Sequence, residues 1–406
     1  MHGTLSYDRR EHRRPLLGLF GESSMAAHRP ALREGKRLVL KIGTRVLTRD
    51  DGSVCLTQLS RILKCVSSLH QAGREVLIVS SGAVGLGKEA LGLKGDSLIE
   101  RQACAAVGQS RLMSFYDSRL QESGIHTAQI LLSEADFDNR TRYLNLRNTL
   151  SELLQNRVIP ILNENDALSV NELAIQNNNH VRPVFGDNDR LSALVAAKLD
   201  ADLLVLLTDV EGVFDSDPNE NPDARLVSTI QVDDPLHMHL SSPKHGASKG
   251  GMQSKVESAL IAAKSGCTSV ILSGRTAEAF EMFLHNQPVG TLFPATVGLP
   301  AKRRWIAWAT AVRGQLIVDD GARKALTDRG ASLLAVGVHE VQGSFQRGDV
   351  VEILGLDGQV IGRGIIHCDT QTAQRWIAGE KPVWSKNHDA LVHRNNLVLR
   401  ENRESQ

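Results

Sequence analysis

The sequence predicts an α/β protein, an open and mostly parallel sheet sandwiched by helices, followed by a small β-rich, barrel-like domain. Three observations carry this. From Lys36 onward short apolar runs alternate with stretches of helical apolar spacing. The polar and glycine-rich clusters fall directly behind the apolar runs, where ligands bind in open α/β sheets. After about residue 290 the texture changes to short strand-like runs broken by glycines.

Leu38-Val39-Leu40 is the first predicted strand, ended at Gly43, and 55–72 a helix ended at Gly73. Glu75 to Val79, Ile125 to Leu131, Val158 to Leu162, Leu203 to Leu207 and Ser269 to Leu272 read as further strands, with helices over about 97–123, 139–156 and 252–265. Right-handed crossovers between parallel strands put their C-terminal ends on one rim. The stretch from Ala167 to Phe185, with Asn177-Asn178-Asn179 and Pro183, interrupts the pattern and reads as a long excursion or hairpin over that rim, where long loops often serve as lids. Leu316-Ile317-Val318, Val336 to Val341, Val350 to Leu354 and Val360 to Ile366 are the strands expected in the second domain. The expected division is a disordered extension at 1–34, a first domain at 35–298 and a second at 299–406.

Composition narrows the classes. The chain has 406 residues, 41% hydrophobic and 23% charged, with net charge +1, which gives no global drive toward nucleic acid or anionic membrane. No apolar run approaches the length that spans a bilayer; Leu203 to Leu207 lies between Asp202 and Asp209. The five cysteines are scattered without CxxC spacing, as expected of free thiols in a reducing cytoplasm. The basic cluster Arg9, Arg10, Arg13, Arg14 is followed by no apolar region, so it is not a signal peptide, and Asp8, Glu11 and Glu22 argue against a transit peptide. Met25 is the expected translation start.

The rim motifs then carry the chemistry. Lys41-Ile42-Gly43-Thr44 puts a lysine where it can reach a transferring phosphoryl group, or is a plain strand end. Ser80-Ser81-Gly82 joins a strand to a helix, as an anion site or as a cap. Asn163-Glu164-Asn165-Asp166 and Gly186-Asp187-Asn188-Asp189 offer amides for a carboxylate and carboxylates for an ammonium, or are Asx turns. Thr208-Asp209 fits nucleotide contact, or a turn. Lys249-Gly250-Gly251-Met252-Gln253-Ser254-Lys255 opens a helix with paired glycines that free backbone N–H groups for phosphate, and Lys255 lies one turn inside. Neither a GxxxxGK[ST] loop nor protein-kinase HRD and DFG elements are present.

In this order the motifs resemble the glutamate 5-kinase family of the amino-acid kinase superfamily, from about residue 36 to the C-terminus. Gly314-Gln315-Leu316-Ile317-Val318-Asp319 and Gly343-x-Phe345-x-x-Gly348-Asp349 resemble a PUA domain, which occurs elsewhere in RNA-modifying enzymes. The resemblance implies the amino-acid kinase fold and ATP-dependent phosphorylation of the glutamate side-chain carboxylate, with Mg²⁺, on the route to proline. It implies catalytic roles for Lys41, Lys255 and Asp189. It implies glutamate contacts at Ser81, Asp166, Asn188 and Asn163. ATP contacts fall at Lys41, Thr208, Asp209 and Lys249, Gly250, Gly251, Met252, Gln253, Ser254 and Lys255. It further implies a cytoplasmic homo-oligomer, dimer or tetramer, with proline as feedback inhibitor and RNA as a ligand of the PUA-like domain. Three features depart from the family: Ser248-Lys249 where a Gly and a Thr are usual, about ten extra residues between Asp166 and Gly186, and the N-terminal extension. A kinase of another amino-acid or carbamate carboxylate and an RNA-binding regulatory protein are the alternatives.

Overall fold

The computed structural model describes residues 35–49, 55–93, 97–133, 136–137, 140–168, 188–218, 220–234, 251–296, 306, 312–380 and 390–399. The extension at 1–34, the body of the expected lid at 169–185, and Ser248, Lys249 and Gly250 lie outside them.

The first part of the chain runs β1 (Arg37–Ile42), α1 (Thr44–Leu47), α2 (Leu56–Gln71), β2 (Glu75–Ser80), α3 (Ala83–Leu91), α4 (Leu98–Gln121), β3 (Thr127–Leu132) and α5 (Arg140–Gln155). It continues with β4 (Ile159–Glu164), α6 (Asn188–Lys198), β5 (Leu203–Thr208), α7 (Met252–Lys264), β6 (Thr268–Ser273), α8 (Ala277–Leu284) and β7 (Thr291–Phe293). The seven strands form one sheet in the order β3-β4-β2-β1-β5-β6-β7. All neighbours pair in parallel except β6 and β7, an antiparallel edge strand that the three-residue run Thr291–Phe293 was too short to announce.

The pleat sorts the core into two layers. Val39, Leu77, Leu204, Leu206 and Ile271 face one cluster, filled from α5, α6 and α7 by Leu154, Leu191, Leu194, Val256 and Ala259. Leu38, Leu40, Ile78, Val205 and Leu272 face the other, filled from α2, α4 and α8 by Leu59, Ile62, Leu112, Tyr116 and Phe280. Each such fully buried aliphatic side chain stabilises the fold by about 1.5–3 kcal/mol before entropic costs.

Two glycines set how the helices meet. A Cβ at Gly87 would lie 1.8 Å from the Cys104 carbonyl oxygen, and one at Gly108 only 1.7 Å from that of Ala83. Helices α3 and α4 therefore cross backbone to backbone, which carries the middle of α4 up to the rim. Gly82, at φ +102°, is the N-cap of α3, and no side chain caps that helix. The capping alternative for Ser80 and Ser81 is thereby removed.

Two boundaries differ from expectation. Strand β4 continues through Asn163 and Glu164, which pair with Leu131 and Leu132 of β3, so half of the Asn-Glu-Asn-Asp cluster is strand rather than loop. Helix α6 begins at Asn188, so the second half of the Gly-Asp-Asn-Asp cluster is helix rather than turn, which places Asp189 in the first turn, where the helix dipole favours a carboxylate.

The second part comprises β8 (Val312–Val318), α9 (Asp320–Arg329), β9 (Leu333–Leu334), β10 (Val338–Gly343), β11 (Val350–Gly355), β12 (Val360–Ile366), α10 (Thr370–Ile377) and β13 (Ala390–Leu399). Its strands form a mixed six-stranded sheet, β10-β8-β11-β12-β13-β9, over a core that includes Leu316, Leu326, Ile353, Ile366 and Leu391. The strand expected at Val336 begins at Val338, because Ala335–Gly337 form a 3₁₀ turn. Helices α9 and α10 were not expected. They are mostly polar, and side-chain caps from Asp319 and Asp369 start them.

Candidate active site

The sheet's alternation decides where Lys41 goes. It lies between Leu40 and Ile42, so its side chain falls on the Val39 face, the one covered by α6 and α7. Those helices contribute Asp189 and Lys255. Lys41 Nζ lies 2.5 Å from Asp189 Oδ1, and Lys255 Nζ lies 3.2 Å from Asp189 Oδ2. All three side chains are buried. Two ammonium groups thus share one carboxylate, and within the triad positive charge is in excess. Two fixed ammonium groups held at one point attract an arriving anion. A Cβ on Gly43 would stand 3.1 Å from the Leu207 carbonyl oxygen and 3.5 Å from Lys41 Nζ, so the glycine keeps this corner open.

Gly251 is the N-cap of α7 and no side chain caps it. The first-turn N–H groups and the positive end of the helix dipole lie beside Lys255. Within that turn Met252 packs on the core, while Gln253 Nε2 donates to Glu257 Oε1 at 3.0 Å.

Thr208 ends β5, and its hydroxyl donates to Asp209 Oδ1 at 3.0 Å. Arg45 Nη1 reaches Asp209 Oδ2 at 3.2 Å, and Arg275 Nε donates to the Arg45 carbonyl at 3.4 Å. Burial pushes the Asp209 carboxyl up, but bonds from the Thr208 hydroxyl, its own backbone and Arg45 outweigh it and hold it below the usual aspartate value. Arg45 and Arg275 were not singled out from the sequence.

The neutral half of the rim is an amide chain. Asn188 Nδ2 lies 2.9 Å from the Ser80 carbonyl oxygen, 3.0 Å from Ser81 Oγ and 2.9 Å from Asn163 Oδ1, three acceptors that share its two hydrogens. Asn163 Nδ2 donates in turn to Gln109 Oε1 at 2.9 Å. Ser80 Oγ lies 2.7 Å from the hydroxyl of Tyr116, whose ionisation burial pushes far up, partly offset by this bond. Asp166 sits in the turn after β4. Burial raises its pKa above the ordinary aspartate value, and Arg101 partly offsets this.

The fold thus joins Lys41, Asp189 and Lys255 in one group, Ser81, Asn163 and Asn188 in another, and Thr208 with Asp209 in a third. Lys249 and Gly250 lie outside the described residues. Gln109 and Tyr116 were missed, although a signal existed. In α4 the buried positions Ala105, Gly108, Gln109, Leu112, Tyr116 and Leu120 form one stripe, and a glutamine on an otherwise small or apolar stripe asks for a partner.

The amino acid kinase family model matches residues 36–273, and the PUA domain model matches residues 314–381. The chain belongs to the amino acid kinase family. It is similar to the glutamate 5-kinase of Chromohalobacter salexigens, 40% identical over 384 residues that cover 93% of this chain and 99% of that protein. It is also similar to the glutamate 5-kinase of Pseudomonas fluorescens (strain Pf0-1), 41% identical over 373 residues, 90% of this chain and 98% of that protein. Among solved structures, carbamate kinase from Giardia lamblia aligns with 65% of this chain and 100% of that one, at TM-score 0.45 and 17% identity.

Proposed function

We propose that the chain transfers the γ-phosphoryl group of ATP to the side-chain carboxylate of L-glutamate, giving L-glutamyl 5-phosphate. The observation that carries the reading is the buried Lys41–Asp189–Lys255 cluster at the C-terminal rim of a parallel sheet, in a chain so similar to glutamate 5-kinases over nearly its whole length.

The acceptor explains what the site contains. A glutamate side chain has a pKa near 4.3, so at neutral pH the nucleophile is already ionised and needs no general base. What remains is to bring two anions together and stabilise charge on the phosphoryl oxygens as it passes, which is positioning and electrostatics. Lys41 and Lys255 supply fixed positive charge, and Asp189 holds both ammonium groups at one point before substrate arrives. The N–H groups from Gly251 into α7 and the Thr208–Asp209 corner receive the nucleotide. Ser81, Asn163, Asn188 and Asp166 receive the amino acid, with Asp166 as counter-ion to the ammonium.

Among the described residues no group of three or more His, Cys, Asp or Glu side chains could hold a metal, and Asp189 is engaged by the lysines. We infer that Mg²⁺ enters with ATP, carried on its phosphates. Among the described residues no helix is long and apolar enough to cross a membrane. We further infer a cytoplasmic, self-associating enzyme whose first domain ends near 298, with proline competing for the glutamate subsite and RNA as the ligand class of the second domain.

The test is ATP turnover with Mg²⁺ and hydroxylamine, against glutamate, aspartate, N-acetylglutamate and carbamate. Glutamate-dependent hydroxamate is expected. Hydroxamate from a different amino acid, or ATP loss with carbamate, would move the specificity, and no turnover with any of them would overturn the reading.

A further inference from the structure

The amide chain behind the rim has a direction, and backbone groups fix it at its middle and at its Asn188 end. The Glu164 N–H donates to Asn163 Oδ1 at 2.9 Å, so Asn163 turns its oxygen toward Asn188 and its NH₂ toward Gln109. At the other end the Ser80 carbonyl, which only accepts, takes a bond from Asn188 Nδ2. The consequence is one leftover atom at each end. Asn188 Oδ1 and Gln109 Nε2 are both buried without a hydrogen-bond partner. Flipping Gln109 would not relieve this, since it would set an NH₂ against the NH₂ of Asn163. Gln109 is itself only 8% exposed, so its orphan donor is an energetic cost that the fold retains.

We propose that Gln109 is a substrate-positioning residue. Its Oε1 holds Asn163 in the one orientation that ties down the NH₂ of Asn188 and leaves Asn188 Oδ1 as an acceptor for the ammonium group of the amino-acid substrate. This rests on the glutamate reading above. Gln109 acts through Asn163 and Asn188, and the close crossing of α3 and α4 at Gly108 delivers it to them. Without its acceptor, the buried NH₂ of Asn163 has no partner and is relieved by rotating away, which releases Asn188.

The experiment compares Gln109→Met, of similar shape but apolar, with Gln109→Glu, which keeps an acceptor oxygen toward Asn163. Gln109→Met is expected to raise the KM for glutamate about tenfold and leave the KM for ATP within about twofold, the scale of one buried hydrogen bond lost. Preference for glutamate over glutarate, which lacks the ammonium, shrinks by the same factor, a change that mere destabilisation does not produce. Gln109→Glu restores both toward the parent. An unchanged glutamate KM, or glutamate and ATP affected equally, would overturn the proposal. If Gln109→Met does not fold, Gln109→Asn, which withdraws the acceptor by one methylene, must show the same selective rise, and its absence is equally decisive. A parent enzyme with no glutamate turnover would sink the functional reading itself, whereas an active parent without the selective effect sinks only the role of Gln109.

Discussion

Under the proposed function, the two halves of the rim solve different problems with different chemistry, one for phosphate and one for the amino acid. The phosphate half is ionic: two lysines from β1 and α7 clamp one carboxylate from α6. The amino-acid half is largely neutral, an amide chain from α4 to β4 to α6 with Asp166 beside it in sequence. Fixed charge suits a step in which charge moves between phosphoryl oxygens. Oriented amides suit recognition, because each end of the chain carries a defined donor or acceptor. The ionic half should therefore govern turnover and ATP, and the amide half the affinity for the amino acid.

The strongest way to break this comparison is Lys255→Ala. We expect kcat to fall by about 10²–10³-fold, as when one preorganised charge-stabilising group is lost, with the far-ultraviolet spectrum unchanged. Near-parental kcat would remove Lys255 from the phosphoryl step.

Asp189→Asn attacks the same half through stability. It replaces the carboxylate that two buried ammonium groups share with a neutral amide, and breaking a buried pair this way costs about 3–5 kcal/mol. The thermal midpoint should drop and recover with added phosphate or ATP, which replace the missing negative charge. A drop that anions do not reverse would count against an anion site.

Gly108→Ala tests the scaffold behind the amide half. Its Cβ would lie 1.7 Å from the Ala83 carbonyl oxygen, and no flexible side chain can give way there. Overpacking against backbone should cost about 3 kcal/mol in chemical denaturation. A stability close to the parent's would mean that α3 and α4 separate easily.

Asp166 sharpens the comparison through pH. Burial raises its pKa, so at neutral pH its ionised form is held against a desolvation cost. A group whose folded pKa is raised contributes stability below its unfolded pKa and loses that contribution as pH rises through the folded value. In the proposed role, ammonium binding needs the carboxylate. The KM for glutamate should therefore rise as pH falls through a range above the ordinary aspartate pKa. Asp166→Asn should flatten that dependence, weaken glutamate binding more than ATP binding, and raise the thermal midpoint at neutral pH. A lower midpoint would contradict the desolvation argument.

The smallest effect is expected at Arg45→Ala. The arginine is exposed and its pair with Asp209 spans 3.2 Å, so stability should change by less than about 1 kcal/mol.

The ionic half was legible because its residues stand at element ends, where a lysine or an Asn-Asp pair breaks an apolar pattern. Lys41 ends an apolar strand, and Lys255 follows paired glycines. The amide half was legible only in part. Asn163 and Asn188 stand in polar clusters, but Gln109 lies mid-helix, and its meaning depends on a close crossing of α3 and α4 that pairs residues far apart in sequence. The strand end at Glu164 was hidden for a related reason. Pairing with β3 carries polar residues past the point where local propensity favours stopping. In the second domain, α9 and α10 were invisible to apolar periodicity because each buries little, with Leu326 and Ala373 as the buried residues of the two helices.

The central claim, that ionic and amide halves divide the work, is tested most directly by a crossed comparison of KM values for ATP and glutamate in Lys255→Ala and Asp166→Asn. The account predicts that Lys255→Ala lowers kcat and weakens ATP with glutamate affinity nearly kept, while Asp166→Asn weakens glutamate with ATP affinity nearly kept. Both substrates weakened alike in both variants would contradict it.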